Sequence, residues 1–386
     1  MKTTKFEQMH LSSAIMNALN KKDYRCATSV QADTIPPLLN WQDIIAKAPT
    51  GTGKTLAFAI PIIEHIDLDD QRIQALILAP TRELAIQICC EIRSLVEYKR
   101  GIRILSIYGG QPIDVQIRAL KRRPQIIVAT PGRLLDHLNR RTIKLHGVRT
   151  AVLDEADRMV DMGFYKDVTQ ILDLVPHRKN LALLSATISQ EVKTIAMNYQ
   201  NEAVKVTIPE DKKNKPHIIQ YSIKSSESEK TAAISLIMEK KGYKRAIIFC
   251  NTKDKVSWLT NSLRYKGYKV DCIHGDIRQS IRERVLNSFR KGRLNILVAT
   301  DVASRGIDVD DVDAVFNYDI PYESEYYIHR IGRTGRAQKK GASYTFVANN
   351  KDKRCLQEII KSTKSQISPL RLDKFSQPKQ AQVAIL

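Results

Sequence analysis

Residues 48–55, which read APTGTGKT, have the composition and spacing of a phosphate-binding loop. Its glycines allow a tight turn in which backbone N–H groups and the N-terminus of a following helix surround a phosphate chain. The lysine then meets the β- and γ-phosphates, and the last threonine hydroxyl is a ligand of Mg²⁺. Ala48 stands where the usual pattern has its first glycine. A chance glycine-rich turn is the alternative, and the preceding apolar run argues against it. The loop residues predicted to contact the nucleotide are Thr50, Gly51, Thr52, Gly53, Lys54 and Thr55.

A second group of chemical interest is the acidic tetrad at residues 154–157, which follows the apolar run AVL. Asp154 at a strand end is placed to hold Mg²⁺ through water, and Glu155 to polarise an attacking water as general base. An acidic turn on a solvated surface is the alternative for such a tetrad taken alone. Its occurrence together with a phosphate loop favours the nucleotide site, with Thr55 and Asp154 as the metal ligands.

These residues need a scaffold, and the chain alternates short apolar runs with helix-like segments. The runs of the first half lie at 43–46, 75–79, 125–130, 151–157 and 181–187, and those of the second at 246–252, 269–275, 295–301 and 314–319. Such alternation predicts a parallel sheet with crossover helices in each half, and therefore an α/β fold. We predict an N-terminal domain over 1–208, a linker over 209–217, a C-terminal domain over 218–367 and a flexible tail over 368–386.

Size and charge limit the function further. A chain of 386 residues favours two packed domains, and a formal net charge of +21 indicates a polyanionic partner. Neither a long apolar segment nor an N-terminal signal is evident, which favours a protein without membrane spans over one bound to a membrane. The six cysteines show no metal-binding spacing, so we expect reduced thiols and a cytoplasmic location.

The order of motifs resembles that of the DEAD-box RNA helicases of superfamily 2. Besides the phosphate loop and the tetrad DEAD, the matching segments are 80–85, 109–110, 130–133, 185–187, 274–282, 299–301, 305–308 and 329–336. Each tripeptide is weak evidence alone, but the ordered set spans most of the chain. The resemblance implies two tandem RecA-like domains, each with a mostly parallel sheet flanked by helices, and an RNA-dependent ATPase that uses ATP and Mg²⁺.

For the nucleotide, the resemblance assigns residues on both domains. Lys54, Asp154 and Glu155 are joined in catalysis by Arg333 and Arg336, which would stabilise charge on the γ-phosphate. Gly306 and Asp308 would contact the ribose side of the nucleotide. The adenine-reading segment at 23–31 lacks the usual glycine and both prolines, which removes fixed φ angles. Gln31 remains, and its amide can pair with adenine, while Tyr24 or Phe6 could stack on the ring.

For RNA, the resemblance places one strand along a second set of residues. These are Arg82, Gly110, Thr130 and Arg133 in the first domain and Thr252, Gly275, Gln279 and Thr300 in the second. Hydroxyls, glycine N–H groups and guanidiniums suit phosphate and sugar contacts without base readout. Each residue singly could be a helix cap or turn former. Ser185 and Thr187 would hydrogen-bond toward the tetrad, with Asp157 as partner, and couple hydrolysis to strand separation.

The hypothesis is therefore an ATP-dependent helicase whose domains close on ATP and RNA, bend one strand and reopen after hydrolysis. The short bound length favours local opening of short duplexes or displacement of proteins from RNA. An ATP-dependent RNA clamp and a DNA translocase are alternatives. We expect a monomer without sequence specificity, with regulatory or ribonucleoprotein partners. A basic stretch at 121–123 either adds affinity for RNA or is a solvated helix end.

Overall fold

The computed structural model describes residues 4–49, 51–209, 217–304, 312–335 and 340–371. The chain divides into two compact units, Met1–Glu210 and Asp211–Leu386, called lobe 1 and lobe 2. Most of the predicted linker and tail lie outside the described residues. His217, at the end of the predicted linker, begins a strand, and Ser368 at the start of the predicted tail also lies in a strand.

Lobe 1 is built on a sheet of seven strands, flanked by helices. The strands are β1 (Ile44–Lys47), β2 (Ala75–Leu78), β3 (Ile104–Ile107), β4 (Ile126–Ala129), β5 (Thr150–Asp154), β6 (Asn180–Ser185) and β7 (Val204–Thr207). The helices are α1 (Ser13–Lys21), α2 (Ser29–Leu39), α3 (Lys54–His65), α4 (Arg82–Leu95), α5 (Ile113–Leu120), α6 (Pro131–Asn139), α7 (Ala156–Asp161), α8 (Tyr165–Asp173) and α9 (Gln190–Tyr199). Two 3₁₀ segments lie at Phe6–Met9 and Val96–Tyr98.

The strand order of this sheet is β3-β4-β2-β5-β6-β1-β7, and every pair is parallel. Its strands β2 and β4 are apolar along their whole length because helices cover both faces of the sheet. Ile77 packs in the core on one face, while Leu76 and Leu78 pack in the core on the other. This alternation follows from the two-residue period of a strand.

Lobe 2 repeats the architecture with its own core. Its strands are β8 (His217–Lys224), β9 (Ala246–Phe249), β10 (Val270–Ile273), β11 (Ile296–Ala299), β12 (Ala314–Asn317), β13 (Lys340–Val347) and β14 (Ile367–Pro369). Its helices are α10 (Lys230–Lys241), α11 (Lys253–Tyr265), α12 (Gln279–Arg290), α13 (Asp301–Ser304), α14 (Ser324–Ile331) and α15 (Asn350–Thr363). The strand order is β10-β11-β9-β12-β13-β8-β14, again parallel throughout.

The predicted α/β class with two parallel sheets is confirmed. The apolar runs located nine of the strands, and the sequence analysis missed β3, β7, β8, β13 and β14. The strand β14 pairs with β8 through the register of Ser368 with Tyr221, so this sheet extends into the start of the predicted tail.

Candidate functional site

The polar residues of lobe 1 gather at one edge of its sheet, because all strands are parallel and their carboxyl ends meet there. The strands β1, β6 and β5 carry the phosphate loop, Ser185 and the acidic tetrad. The neighbouring strands β2, β4 and β3 are followed by Arg82, Thr130 and Gly110. The nucleotide residues and the predicted RNA residues therefore occupy adjoining halves of a single edge.

The phosphate loop connects β1 to α3, as the sequence predicts. Gly51 and Gly53 have φ angles of 78° and 89°, a region that favours glycine. Lys54 opens α3 with its side chain buried, and its Nζ donates to the carbonyl of Ala48 at 2.9 Å. The hydroxyl of Thr52 donates to the Pro49 carbonyl at 2.8 Å. Thr50 lies outside the described residues, and Thr55 follows Lys54 in the first turn of the helix.

Asp154 ends β5 and is only 3% exposed. Burial raises the pKa of Asp154 to about 7, against the opposing effect of the nearby Lys54 cation. Glu155 caps α7 with φ of 53°, and its N–H donates to Asp154 Oδ1 at 3.1 Å. The Glu155 carboxylate forms an ion pair with Arg158, which the sequence analysis did not assign to the site.

The environment of Asp154 fits a bound Mg²⁺. Burial destabilises the ionised form of this carboxyl. A cation bound beside it would stabilise that form and offset the effect of burial. Among the described residues no cluster of three His, Cys, Asp or Glu could hold a metal. One carboxylate and one hydroxyl suit Mg²⁺ because this ion keeps several waters and takes phosphate oxygens as further ligands.

The adenine-reading segment is tied to the phosphate loop. Gln31 lies on α2 and is 4% exposed; its amide nitrogen donates to the Gly53 carbonyl at 3.0 Å. Its amide oxygen accepts from the N–H of Thr28 at 2.9 Å, which caps the helix. A Cβ at Gly53 would overlap the Gln31 amide, so both residues fit only with this loop geometry.

The two aromatic candidates differ sharply in exposure. Tyr24 is 43% exposed, whereas Phe6 is 1% exposed and packs in the core of lobe 1. The N–H of Phe6 donates to the carbonyl of Arg25 at 3.3 Å. Phe6 therefore packs against the adenine-reading segment with its ring buried, and Tyr24 is the more exposed candidate; the stacking of either ring on a base stays a prediction.

Asp157, Ser185 and Thr187 are in contact, as the sequence analysis expects. Oδ2 of Asp157 accepts from the N–H of Thr187 at 2.7 Å and from its hydroxyl at 2.8 Å. The N–H of Asp157 donates to the Ser185 hydroxyl at 3.1 Å. These bonds connect the end of β6 to the tetrad after β5, although the role of the contact in coupling stays a prediction.

The predicted RNA residues of lobe 1 adjoin one another through side chains. Gly110 has a φ of 87° and lies directly against the Arg82 guanidinium, where any Cβ would overlap it. Arg133 on α6 donates to the Gln111 carbonyl at 2.9 Å and to Gln116 Oε1 at 3.2 Å. Thr130 caps the same helix and is 8% exposed.

A buried polar network fixes this half of the edge, and the sequence analysis missed it. His137 is fully buried and contacts Gln116 Oε1 through Nε2 at 3.0 Å and Thr142 Oγ1 through Nδ1 at 2.8 Å. Burial and the Arg133 cation lower the pKa of His137, so its ring is neutral at pH 7. Gln116 also donates to the Tyr108 carbonyl at 2.9 Å, so the network holds the loop that carries Gly110.

Lobe 2 carries its predicted residues at the carboxyl ends of three adjacent strands. Gly275 follows β10, Thr300 follows β11 and Thr252 follows β9. Thr252 caps α11 by accepting from the N–H of Lys255 at 3.3 Å and remains exposed. Gln279 opens α12, is 6% exposed and donates to Glu283 at 3.1 Å.

The catalytic residues expected from lobe 2 are only partly described. Arg333 follows α14, and its carbonyl accepts from the N–H of Val312 at 3.2 Å. Gly306, Asp308 and Arg336 lie outside the described residues.

Arg330, to which the sequence analysis assigns no role, connects several strands of lobe 2. It is 1% exposed, and its guanidinium binds both carboxylate oxygens of Asp301 at 2.6 Å. The same group donates to Asn251 Oδ1 at 2.9 Å and to the Asp319 carbonyl at 2.6 Å. The ends of β9, β11 and β12 and the helix α14 are thus held by one side chain.

Comparison with known proteins places this geometry in a family. The DEAD/DEAH box helicase model matches residues 28–195, and the helicase conserved C-terminal domain model matches residues 229–338. The DEAD-box ATP-dependent RNA helicase CshA of Geobacillus kaustophilus is 45% identical over 89% of this chain and 73% of its own length. The CshA of Bacillus subtilis is 43% identical over 97% of this chain and 75% of its own length.

Solved structures give the same result. Saccharomyces cerevisiae Dbp5 bound to RNA and ADP BeF3 matches with a TM-score of 0.83 at 28% identity, over 96% of this chain and 97% of that chain. Mss116p bound to ssRNA and AMP-PNP matches with a TM-score of 0.81 at 32% identity, over 96% of this chain and 80% of that one. In the described ranges, none of the helices combines the length and apolar character that a membrane span requires. With both lobes matched by family models and relatives more than 40% identical over most of its length, the chain belongs to the family of DEAD-box ATP-dependent RNA helicases.

Proposed function

We propose that this helicase opens short RNA duplexes, or remodels RNA–protein complexes, by closing its lobes on ATP and RNA and releasing the strand after hydrolysis. One observation carries the proposal: the nucleotide half and the RNA half of lobe 1 share an edge and meet where β5 and β2 are neighbours. A change at Asp154 after ATP turnover can therefore reach Arg82 across a single inter-strand gap.

On the nucleotide side, the loop N–H groups and Lys54 bind the phosphates, and Thr55 and Asp154 hold Mg²⁺. The metal, when bound, supplies positive charge that stabilises the phosphate oxygens. Glu155 accepts a proton from the attacking water. Its ion pair with Arg158 orients the carboxylate.

Lobe 2 completes the reaction in this proposal. Arg333 and Arg336 stabilise the charge that develops on the γ-phosphate, and Gly306 and Asp308 bind the ribose. Gln31 and Tyr24 bind adenine, with the Gln31 amide exchanging its present partners for the base. Because these residues belong to two lobes, turnover requires both.

On the RNA side, we assign phosphate and sugar contacts to the eight residues named for this purpose in the sequence analysis. Arg82 and Arg133 supply charge in lobe 1, and the N-terminus of α11 beside Thr252 supplies N–H groups in lobe 2. We further propose a monomer that works in the cytoplasm with regulatory protein partners. Six free cysteines suit a reducing compartment.

The test is steady-state ATP hydrolysis without nucleic acid, with single-stranded RNA and with single-stranded DNA of the same sequence. We expect stimulation by RNA alone, and a loss of at least about a hundredfold in kcat for Glu155→Gln, which is the lower end of the range for general bases. Glu91→Gln on α4, a carboxylate away from the carboxyl edge, is the matched control and should retain activity. Equal stimulation by DNA, or none by either, would contradict the proposal.

A further inference from the structure

The edge of the lobe 1 sheet opposite to the site carries a concentration of positive charge. Five loops precede the adjacent strands β3, β4, β2, β5 and β6. We call these loops together the basic row. In the order of the strands, they are residues 99–103, 121–125, 67–74, 140–149 and 177–179. These loops contain thirteen Lys and Arg residues and three carboxylates. The helicase segments named above for lobe 1 lie at the carboxyl edge and do not explain this charge.

The basic row is continuous because the loops are hydrogen-bonded to one another. The N–H of Gln125 donates to the Arg103 carbonyl at 3.0 Å, and the N–H of Gln74 donates to the Gln125 carbonyl at 2.8 Å. The N–H of Arg149 donates to the Gln74 carbonyl at 2.8 Å, and that of Lys179 donates to the Arg149 carbonyl at 2.7 Å. The five strand starts therefore form one rigid line.

Neighbouring strands are about 4.8 Å apart, so the line is roughly 19 Å long. A nucleic-acid strand presents several phosphates over that length. A fixed backbone with cations in each of its five loops suits a phosphate backbone, since binding then requires little ordering of the protein.

Two of the three carboxylates in the basic row form ion pairs, and one of them is Asp67, which lies 3.8 Å from Arg149. Asp70 pairs with Arg72 at 2.8 Å and with Arg149 at 3.1 Å, and the hydrogen bonds from Arg72 lower the pKa of Asp70 to about 2. By contrast, Arg100, Lys121, Arg122 and Lys144 are exposed, and no carboxylate of the described residues forms an ion pair with them. These side chains are available to an anion from outside.

We propose that the basic row is a second RNA-binding surface, which holds the phosphate backbone of RNA flanking the segment at the carboxyl edge. The proposal rests on the assignment of the chain to the RNA helicases. The surface binds without reading bases, independently of ATP, and keeps the protein on a structured RNA when the carboxyl edge releases its strand. RNA is favoured over an anionic membrane because the cations lie along strand starts and not on an amphipathic helix with an apolar face.

The test compares two charge-matched triple variants of the full chain. One is Lys121→Gln/Arg122→Gln/Lys144→Gln in the basic row. The control is Lys166→Gln/Lys193→Gln/Lys205→Gln, which removes three exposed cations elsewhere in lobe 1. Fluorescence anisotropy measures Kd without nucleotide from 50 to 300 mM KCl, with a ten-nucleotide single strand and with the same strand joined to a twelve-base-pair hairpin.

For the triple variant of the basic row, we expect binding to the hairpin to be weakened roughly tenfold at low salt. The slope of the logarithm of the association constant against the logarithm of the salt concentration should be less steep by about 2 to 3. The ATP turnover of this variant at saturating single-stranded RNA stays at the wild-type value, which separates this proposal from the proposed function. The proposal fails if both variants weaken hairpin binding equally. It fails also if the row variant loses binding to phosphatidylglycerol vesicles and keeps binding to RNA.

Discussion

At the scale of single residues, Asp154 is the carboxyl of the described residues whose surroundings most strongly oppose its charge. Its pKa in the folded protein is about 7, above the usual value of 3.8. Between about pH 4 and pH 7 the folded state retains a proton that the unfolded state has released. The free energy of unfolding therefore falls as the pH rises through this window, by no more than about 4 kcal/mol, and the loss is complete above pH 7.

We predict that Asp154→Asn removes this pH-dependent part of the free energy of unfolding. Thermal unfolding of the nucleotide-free protein from pH 4 to pH 8 should show a smaller fall for the variant, which becomes more stable than the wild type near pH 8. Asp161→Asn, at the exposed end of α7, serves as the control for loss of a carboxylate in the same helix region. Parallel pH profiles for the wild type and Asp154→Asn would contradict the prediction.

Asp157 illustrates a residue whose contacts, not its charge, matter. Asp157→Ala removes the acceptor of two hydrogen bonds from Thr187 and should destabilise lobe 1 by about 1–3 kcal/mol. We expect ATP turnover within a few-fold of wild type and duplex unwinding reduced at least about tenfold. The reason is that a movement of the tetrad is no longer transmitted to the end of β6. Both rates are measured on the same preparation with a short labelled duplex.

Two further variants locate the effect. Thr187→Val keeps the backbone N–H bond and should reduce unwinding less than Asp157→Ala does. Thr194→Val removes the hydroxyl bonded to the Gln190 carbonyl on α9 and should change neither rate. If ATP turnover and unwinding fell by the same factor in Asp157→Ala, the contact would serve catalysis and not coupling.

At the scale of elements, Arg330 is a buried side chain that joins the ends of three strands and a helix of lobe 2. Arg330→Met leaves the Asp301 carboxylate without its buried cation, and we expect lobe 2 to lose about 3–5 kcal/mol. Adding Asp301→Asn should recover part of the loss because it removes the negative charge that the guanidinium balanced. Arg330→Lys retains the positive charge but cannot form the bidentate ion pair, so it should give an intermediate loss of stability.

The chain provides its own reporters for this measurement. Its two tryptophans are divided between the lobes, with Trp41 stacked on His65 in lobe 1 and Trp258 exposed on α11 in lobe 2. Urea unfolding of Arg330→Met is followed by fluorescence in a Trp41→Phe background for lobe 2 and in a Trp258→Phe background for lobe 1. A similar decrease in the free energy of unfolding of both lobes would mean that the effect of Arg330 is not confined to lobe 2.

The elements also show what the sequence can and cannot predict. Strands such as β4, buried on both faces, appear as unbroken apolar runs. The edge strands β3 and β7 are only partly buried, so their runs are interrupted. Within lobe 2, β13 is buried but contains Thr345, whose hydroxyl accepts a hydrogen bond from Asn317 at 3.0 Å. Such paired polar residues inside a sheet hide a strand from a hydrophobicity pattern.

The same distinction holds for the site. Motifs at strand ends identified the phosphate loop, the tetrad and the residues that follow β2, β3 and β4. Contacts between segments were not predictable in this way, because no local pattern links Gln31 to Gly53 or Arg330 to Asp301. These pairs are 22 and 29 positions apart and meet only after the sheets have formed.

At the scale of the whole molecule, each lobe has its own sheet and core, while the proposed chemistry draws on both. We predict that residues 1–210 alone fold cooperatively and bind ATP, since the sheet, the phosphate loop and Asp154 all belong to this unit. The fragment should show no stimulation of ATP turnover by RNA, because Arg333 and the lobe 2 RNA residues are missing. Calorimetric unfolding and ATP turnover with and without RNA measure both expectations.

Adding residues 211–386 as a separate chain extends the argument. A short linker gives the second lobe an effective concentration in the millimolar range. Stimulation should therefore be absent when the two fragments are mixed at micromolar concentration, and should return when they are rejoined by a flexible linker of about the native length. RNA-stimulated turnover by residues 1–210 alone would show that one lobe carries the whole reaction. The linker would then be required for the two separately folded lobes to act as one enzyme.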